Sequence, residues 1–265
     1  MSDPSPLAAR FVAQGRTADC PVIDAHAHFG TFRGIYFPRV TAEAMVETMD
    51  RCGVRVTISS HHYAFIDPER GNAEMAQVVR AHPDRFRAYL ALNPNYPELV
   101  QRQVAQLAEL QGFVGFKLLA DYHRYPITGE HYRPALEYAD ERGLPILMHT
   151  WGGSAYDSPQ HVAELARRYP CARLIMGHAG YGAWEEAVAV ACEHEHVYLE
   201  LCAAYAVRGA IDLFCERVGS HKVLFGTDLP WFDPHYGIGC VLFAHISDED
   251  RHNILHGTAE RLFGL

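Results

Sequence analysis

Short runs of apolar and β-branched residues begin near Pro21, Val54, Phe86, Phe113, Pro145, Ala172, His196 and Lys222. Each is followed by a stretch in which apolar positions recur at helical spacing with polar residues between them. The starts lie roughly 24 to 33 residues apart, the length of one strand, one helix and their connections. The pattern predicts eight strand-helix units.

Helix boundaries sit where this reading needs them. Thr41, with Glu43 and Glu47 behind it, predicts a helix start, and Cys52-Gly53 ends that helix before Val54-Arg55-Val56-Thr57-Ile58. A second helix from about His131 to Arg142 stops at Gly143, and Leu144-Pro145 leads into Ile146-Leu147-Met148. Strands alternating with helices imply a parallel sheet covered by helices. An open doubly wound sheet usually carries a Gly-rich phosphate turn after its first strand, whereas this chain has Asp24-Ala25-His26-Ala27-His28 there. The expected fold is therefore α/β, a (β/α)8 TIM barrel.

With 265 residues, 49% of them hydrophobic, the chain is sized for one such barrel, placed over residues 19–265. Residues 1–18 are expected to form an arm, packed on the barrel bottom or partly disordered. The net charge of −9, from 32 acidic and 23 basic residues, gives no basic field, so nucleic acid is not an expected partner. The opening MSDPSPLAARFVAQG has no apolar run of the length that a signal peptide or membrane span requires. The expected compartment is the cytoplasm, with no membrane partner. Seven scattered Cys read as reduced and mostly buried. The assembly is open, with a homodimer the commonest soluble arrangement.

In a barrel, a polar residue at the C-terminal end of a strand faces the active-site mouth. His26 and His28 alternate onto one face of the first strand, so two imidazoles converge. The fifth strand ends an apolar run in His149, the sixth in His178 between Gly177 and Gly180, and the eighth in Asp228 after Val223-Leu224-Phe225. Five independent accidents of this kind are improbable. The other histidines among the 17 read as surface or structural residues, His252 and His256 included. His61, His62, Trp151, Tyr181, Glu200, Trp231 and Asp233 are candidates to shape specificity around the same mouth. The loops Gly30–Pro38, His61–Gly71 and Asp121–Glu130 are within its reach.

The chain resembles the amidohydrolase superfamily, specifically the amidohydrolase-2 branch of metal-dependent hydrolases and decarboxylases. The resemblance rests on Asp24-Ala25-His26-Ala27-His28, Gly115-Phe116-Lys117, Met148-His149-Thr150, Gly177-His178-Ala179-Gly180, the run from Phe225 to Trp231, and the closing segment from Ala259 to Leu265. It implies that His26, His28, His149 and Asp228 bind a divalent metal, with His178 beside it as acid/base or second ligand. Binuclear relatives bridge two metals with a carboxylated lysine, so Lys117 is a tentative ligand of a second ion. A contact to an anionic substrate or an inert packed lysine are the alternatives.

Imidazoles with one carboxylate suit zinc first, and also manganese or iron, so one or two such ions are expected. The reaction expected first is hydrolysis of a small-molecule ester, lactone or amide. Asp228 would accept a proton from metal-activated water and His178 would act on the carbonyl or leaving group. The alternatives are a decarboxylase or hydratase that clamps an anionic substrate with Arg33, Lys117 or Arg124, and a non-catalytic metal-binding barrel.

Overall fold

The computed structural model describes residues 5–17 and 19–265. Eight parallel strands follow one another around a single sheet: β1 (Val22–Phe29), β2 (Val54–His61), β3 (Phe86–Ala91), β4 (Phe113–Leu118), β5 (Pro145–Trp151), β6 (Arg173–Tyr181), β7 (Val197–Glu200) and β8 (Val223–Leu224). The regular part of β8 is two residues long, but the chain runs on beside β1 and closes the barrel. Ala25 N donates to Phe225 O at 2.9 Å, Asp228 N to His26 O at 2.7 Å, and His28 N to Leu229 O at 2.6 Å.

The eight predicted starts fall within one residue of the observed strands. The first helix, α1 (Pro6–Gln14), lies in the expected arm, capped by Ser5 and by Gly15 at φ 74°. Ser5 Oγ reaches Asp248 Oδ1 at 2.5 Å. Residues 1–4 and 18 of the expected arm lie outside the described residues. The helix α2 (Ala42–Cys52) starts from the Thr41 cap, whose hydroxyl accepts from Ala44 N, and ends at Gly53 with φ 82°. It buries Met45, Met49 and Cys52, one stripe at helical spacing. Truncating Met49 to Ala would cost about 2–5 kcal/mol.

Two apolar layers result. Most buried residues lie between the sheet and the surrounding helices, while Ile23, Ala25, Ile58, Tyr89, Leu147, Ile175 and Leu224 fill the barrel itself. The final helix, at Thr258–Phe263, adds Ala259 and Leu262 to that inner cluster and so plugs its bottom. All seven cysteines are free; Cys20, Cys52 and Cys202 are buried, but Cys171 and Cys192 are exposed, against the expectation of burial. No helix of the described residues is long and apolar enough to cross a membrane.

Simple alternation in β1 is not what aims its histidines. Ile23 and Ala25 point inward, and a strict period of two would turn His26 away. A register shift against β2 between Asp24 and Ala27 resets the phase, so Ala27 packs outward in the helix-facing layer and His26 reaches the mouth. Asp24 stabilises the irregular backbone: its Oδ1 accepts from His26 N at 3.1 Å and from Thr227 N at 3.0 Å.

Candidate active site

Four imidazoles meet at the mouth, and each is tethered through Nδ1. His26 Nδ1 lies 2.7 Å from Glu200 Oε2, His28 Nδ1 3.1 Å from Ser60 Oγ, and His149 Nδ1 3.1 Å from Asp157 Oδ2. His178 Nδ1 lies 3.3 Å from Cys202 O, which can only accept, so Nδ1 carries the proton there. Such tethers leave each Nε2 to meet a ligand.

Donor atoms of His26, His28 and Asp228 all lie within 4.8 Å of one another. Asp228 Oδ1 is 2.8 Å from His28 Nε2 and 3.4 Å from His26 Nε2. It is nevertheless a buried oxygen that no hydrogen bond fully satisfies. An orphaned carboxylate oxygen facing imidazole nitrogens is an arrangement that a divalent cation resolves. His149 stands outside this trio; its ring packs on His178 at a centroid separation of 4.9 Å.

Backbone strain gathers on the same rim. His178, Ala179, Ala203 and Asp228 have φ of 62°, 51°, 61° and 59°, the left-handed region that non-Gly residues seldom adopt. Glu200 sits beneath them with no solvent exposure, its Oε2 also accepting from His178 N at 3.1 Å and its Oε1 from Cys202 N at 2.6 Å. This close approach needs Gly226, where a Cβ would lie 2.3 Å from Glu200 Oε1 and 2.7 Å from His26 Cβ.

Burial decides the charge states. It pushes the His178 imidazole down to about 3, and it lowers His28 and, more strongly, His26, which also faces the Lys117 ammonium. Asp228 goes the other way: burial would raise it, but the imidazoles of His26 and His28 hold it well below the usual carboxylate range. Burial pushes the Lys117 ammonium down to about 8 and the Glu200 carboxyl up to about 7. The mouth thus offers His26, His28 and His178 as neutral imidazoles and Asp228 as a carboxylate. Lys117 Nζ, fully buried, lies 2.7 Å from His26 Nε2, on the lone pair that a cation at His26 would use.

Above these groups opens a cavity of about 210 Å³. Apolar cavities of roughly 150 Å³ hold a benzene molecule, so this one has room for a substituted ring. Its wall includes His26, His28, Lys117, His149, His178, Asp228, Trp151 and Trp231, all singled out in the sequence. His62 joins them, donating from Nδ1 to Gly30 O at 2.8 Å and accepting at Nε2 from Trp231 Nε1 at 3.0 Å.

Other expectations are corrected. His61 does not reach the wall, because its Nε2 turns to Glu74 at 3.1 Å. Tyr181 stands behind Trp151, stacked at 4.5 Å, and Asp233 caps the helix Pro234–Leu242. Glu200 holds His26 and contributes nothing to the wall, and neither Arg33 nor Arg124 lines it. Sequence reasoning missed the aromatic walls Phe32, Phe65, Tyr122 and Phe232, although the first three lie in loops expected to reach the mouth. It also missed Asp157, whose place just before the helix Pro159–Arg168 looks like ordinary helix-start chemistry.

A closed barrel of eight parallel strands with imidazoles and a carboxylate at its mouth defines the class of the protein. The amidohydrolase family profile matches residues 23–265, and the chain belongs to that family of enzymes. It is 24% identical over 282 residues to the γ-resorcylate decarboxylase of Polaromonas sp., covering 83% of this chain and 86% of that protein. The fold is similar to 5-carboxyvanillate decarboxylase from Sphingomonas paucimobilis, with a TM-score of 0.76 and 14% identity over 93% of this chain and 99% of that one. It is also similar to a dihydroxybenzoic acid decarboxylase from Polaromonas sp. with bound manganese and 2-nitroresorcinol, with a TM-score of 0.74 and 21% identity over 93% of this chain and 97% of that one.

These relatives overturn the first reading of the chemistry. Hydrolysis of an ester, lactone or amide was expected, but the curated relatives are decarboxylases, the lyase alternative. Residue types alone do not separate the two reactions, because the same donors serve both.

Proposed function

We propose that the protein is a metal-dependent, non-oxidative decarboxylase of a small aromatic hydroxy acid. The observation that carries this reading is the cavity: a ring-sized space walled by Phe32, Tyr122, Trp151 and Trp231, with the imidazoles, Lys117 and Asp228 gathered at one end. His26, His28 and Asp228 would hold the cation, with His149 as the fourth donor. The donors take zinc or manganese, and the manganese in a similar decarboxylase moves the first choice from zinc to manganese. When bound, the cation would polarise and orient an oxygen of the acid.

The chain's own groups account for the proton. His178, held as the Nδ1–H tautomer by its bond to Cys202 O, presents Nε2 as the acceptor for the proton of a ring hydroxyl that a bound cation would acidify. The same nitrogen returns that proton to the ring carbon bearing the carboxylate, and breaking the carbon–carbon bond releases CO2 and leaves a phenolate for solvent to protonate. Lys117, the one Lys or Arg on the wall, supplies positive charge to an anionic substrate. In this reading Lys117 contacts the substrate and is not a second metal ligand.

The test is a panel of dihydroxybenzoic and methoxy-hydroxybenzoic acids incubated with the manganese-loaded protein, with CO2 release and product NMR as readouts. Stoichiometric CO2 from at least one acid, abolished by chelation and restored by manganese, is expected. Metal-loaded, folded protein that releases none from any of them would overturn the proposal.

A further inference from the structure

Away from the mouth, a second group of metal-ligating side chains gathers at the other end of the barrel. Cys20 lies two residues ahead of β1, His252 immediately precedes the segment Asn253–Gly257 that leads into the closing helix, and His256 lies within it. One ligand atom from each lies within 4.8 Å of the other two. Six residues of extended chain separate Cys20 from His26, about 20 Å, so this cluster is remote from the cavity.

The local geometry goes beyond chance proximity. His252 Nδ1 and His256 Nε2 face each other at 3.0 Å, close to the roughly 3.3 Å between two ligands of a tetrahedral zinc ion. His256 is turned by its other nitrogen, since Nδ1 lies 3.0 Å from Glu260 Oε2. Glu260 is in turn fixed by Arg55 at 2.9 Å. A carboxylate behind an imidazole is the usual partner of a metal-bound histidine. The backbone between the two rings is a π-helical turn, the widened kind that concentrates at functional positions. Cys20 is buried, while both histidines keep partial solvent access through which an ion can enter.

We propose that Cys20, His252 and His256 form a second metal site, for a thiophilic divalent cation such as zinc, which staples the entry of β1 to the closing helix. One sulfur with two imidazole nitrogens selects zinc or cobalt over manganese, calcium or magnesium. Binding converts the Cys20 thiol to thiolate and releases its proton to solvent. The ion closes a loop that spans nearly the whole barrel, so its effect falls on stability. The site stands independently of the decarboxylase reading.

The experiment is cobalt titration of the full-length protein followed by near-ultraviolet absorption, alongside zinc-dependent thermal melting. A thiolate-to-cobalt charge-transfer band is expected in the unmodified protein and not in Cys20→Ser. With the mouth site first loaded with manganese, zinc at a hundredfold excess over its Kd is expected to raise the melting temperature of the unmodified protein by on the order of 5 °C more than that of Cys20→Ser. The proposal is overturned by the absence of a thiolate band in the unmodified protein at saturating cobalt. It is equally overturned by a band that persists in Cys20→Ser, which would come from Cys52 or Cys202, or by equal zinc shifts in both proteins. Should Cys20→Ser not fold, the double variant His252→Gln/His256→Gln is read against the same outcomes.

Discussion

Glu200 Oε2 lies 2.7 Å from His26 Nδ1, and neither side chain has more than a trace of solvent exposure. One buried carboxylate thereby sets the orientation of a ring on the opposite side of the β8 seam. It also holds the backbone N–H groups of His178 and Cys202. Glu200→Gln keeps the shape and removes the anion, so His26 loses basicity at Nε2. The expected outcome is a 10- to 100-fold weaker manganese affinity, read by competition with a chromophoric chelator, with little change in secondary structure.

Gly226→Ala tests the same contact from the backbone side. The added methyl has no room between Glu200 Oε1 and the His26 Cβ, so one of them must move. A stability loss of about 1–3 kcal/mol in urea unfolding is expected, together with weakened metal binding. A variant as stable as the parent, with unchanged affinity, would show that Glu200 does not position His26.

His178→Asn keeps a donor toward Cys202 O but removes the base at Nε2. Turnover of whichever acid is the substrate should fall by roughly 10² to 10⁴ with metal content unchanged by elemental analysis. Equal turnover at equal metal content would remove His178 from the proton path.

His62 supplies the pH prediction. Burial pushes its imidazole down to about 3, and the two nitrogens are already committed, Nδ1 as donor to Gly30 O and Nε2 as acceptor from Trp231. Below pH 6.5 the unfolded chain takes up a proton that the folded chain refuses, so stability contributed by the neutral ring is lost as pH falls from 6.5 toward 3. At pH 4.5 that amounts to about 3 kcal/mol at most. In His62→Gln the urea midpoint should therefore decline less between pH 7 and pH 4.5 than in the parent. Parallel declines would assign the acid sensitivity to other groups.

The parts legible in the sequence are those set by local periodicity. Strand starts, the Thr41 and Gly53 caps of α2 and the Gly143 stop were readable because each depends on a few neighbouring residues. Polar residues ending apolar strands marked His149, His178 and Asp228 for the same reason. The β1 bulge was not readable, since it shows only in pairing with β2 and in the support Asp24 gives across to Thr227. Nor could spacing decide between His61 and His62: the strand ends at His61, and the turn His62–Phe65 swings the next ring inward. Asp157 and Glu200 act through partners 8 and 174 residues away, beyond any local pattern. The reaction was misread because its donors are common to two chemistries.

The seam between β8 and β1 is made by the same residues that are proposed as metal donors, with His26 O accepting from both Thr227 N and Asp228 N. During synthesis His26 and His28 emerge among the first strands and Asp228 among the last, so no partial barrel carries the full set. At the proposed site, tight capture of an ion would in this way be a checkpoint on assembly, available only to a chain whose ends have already met.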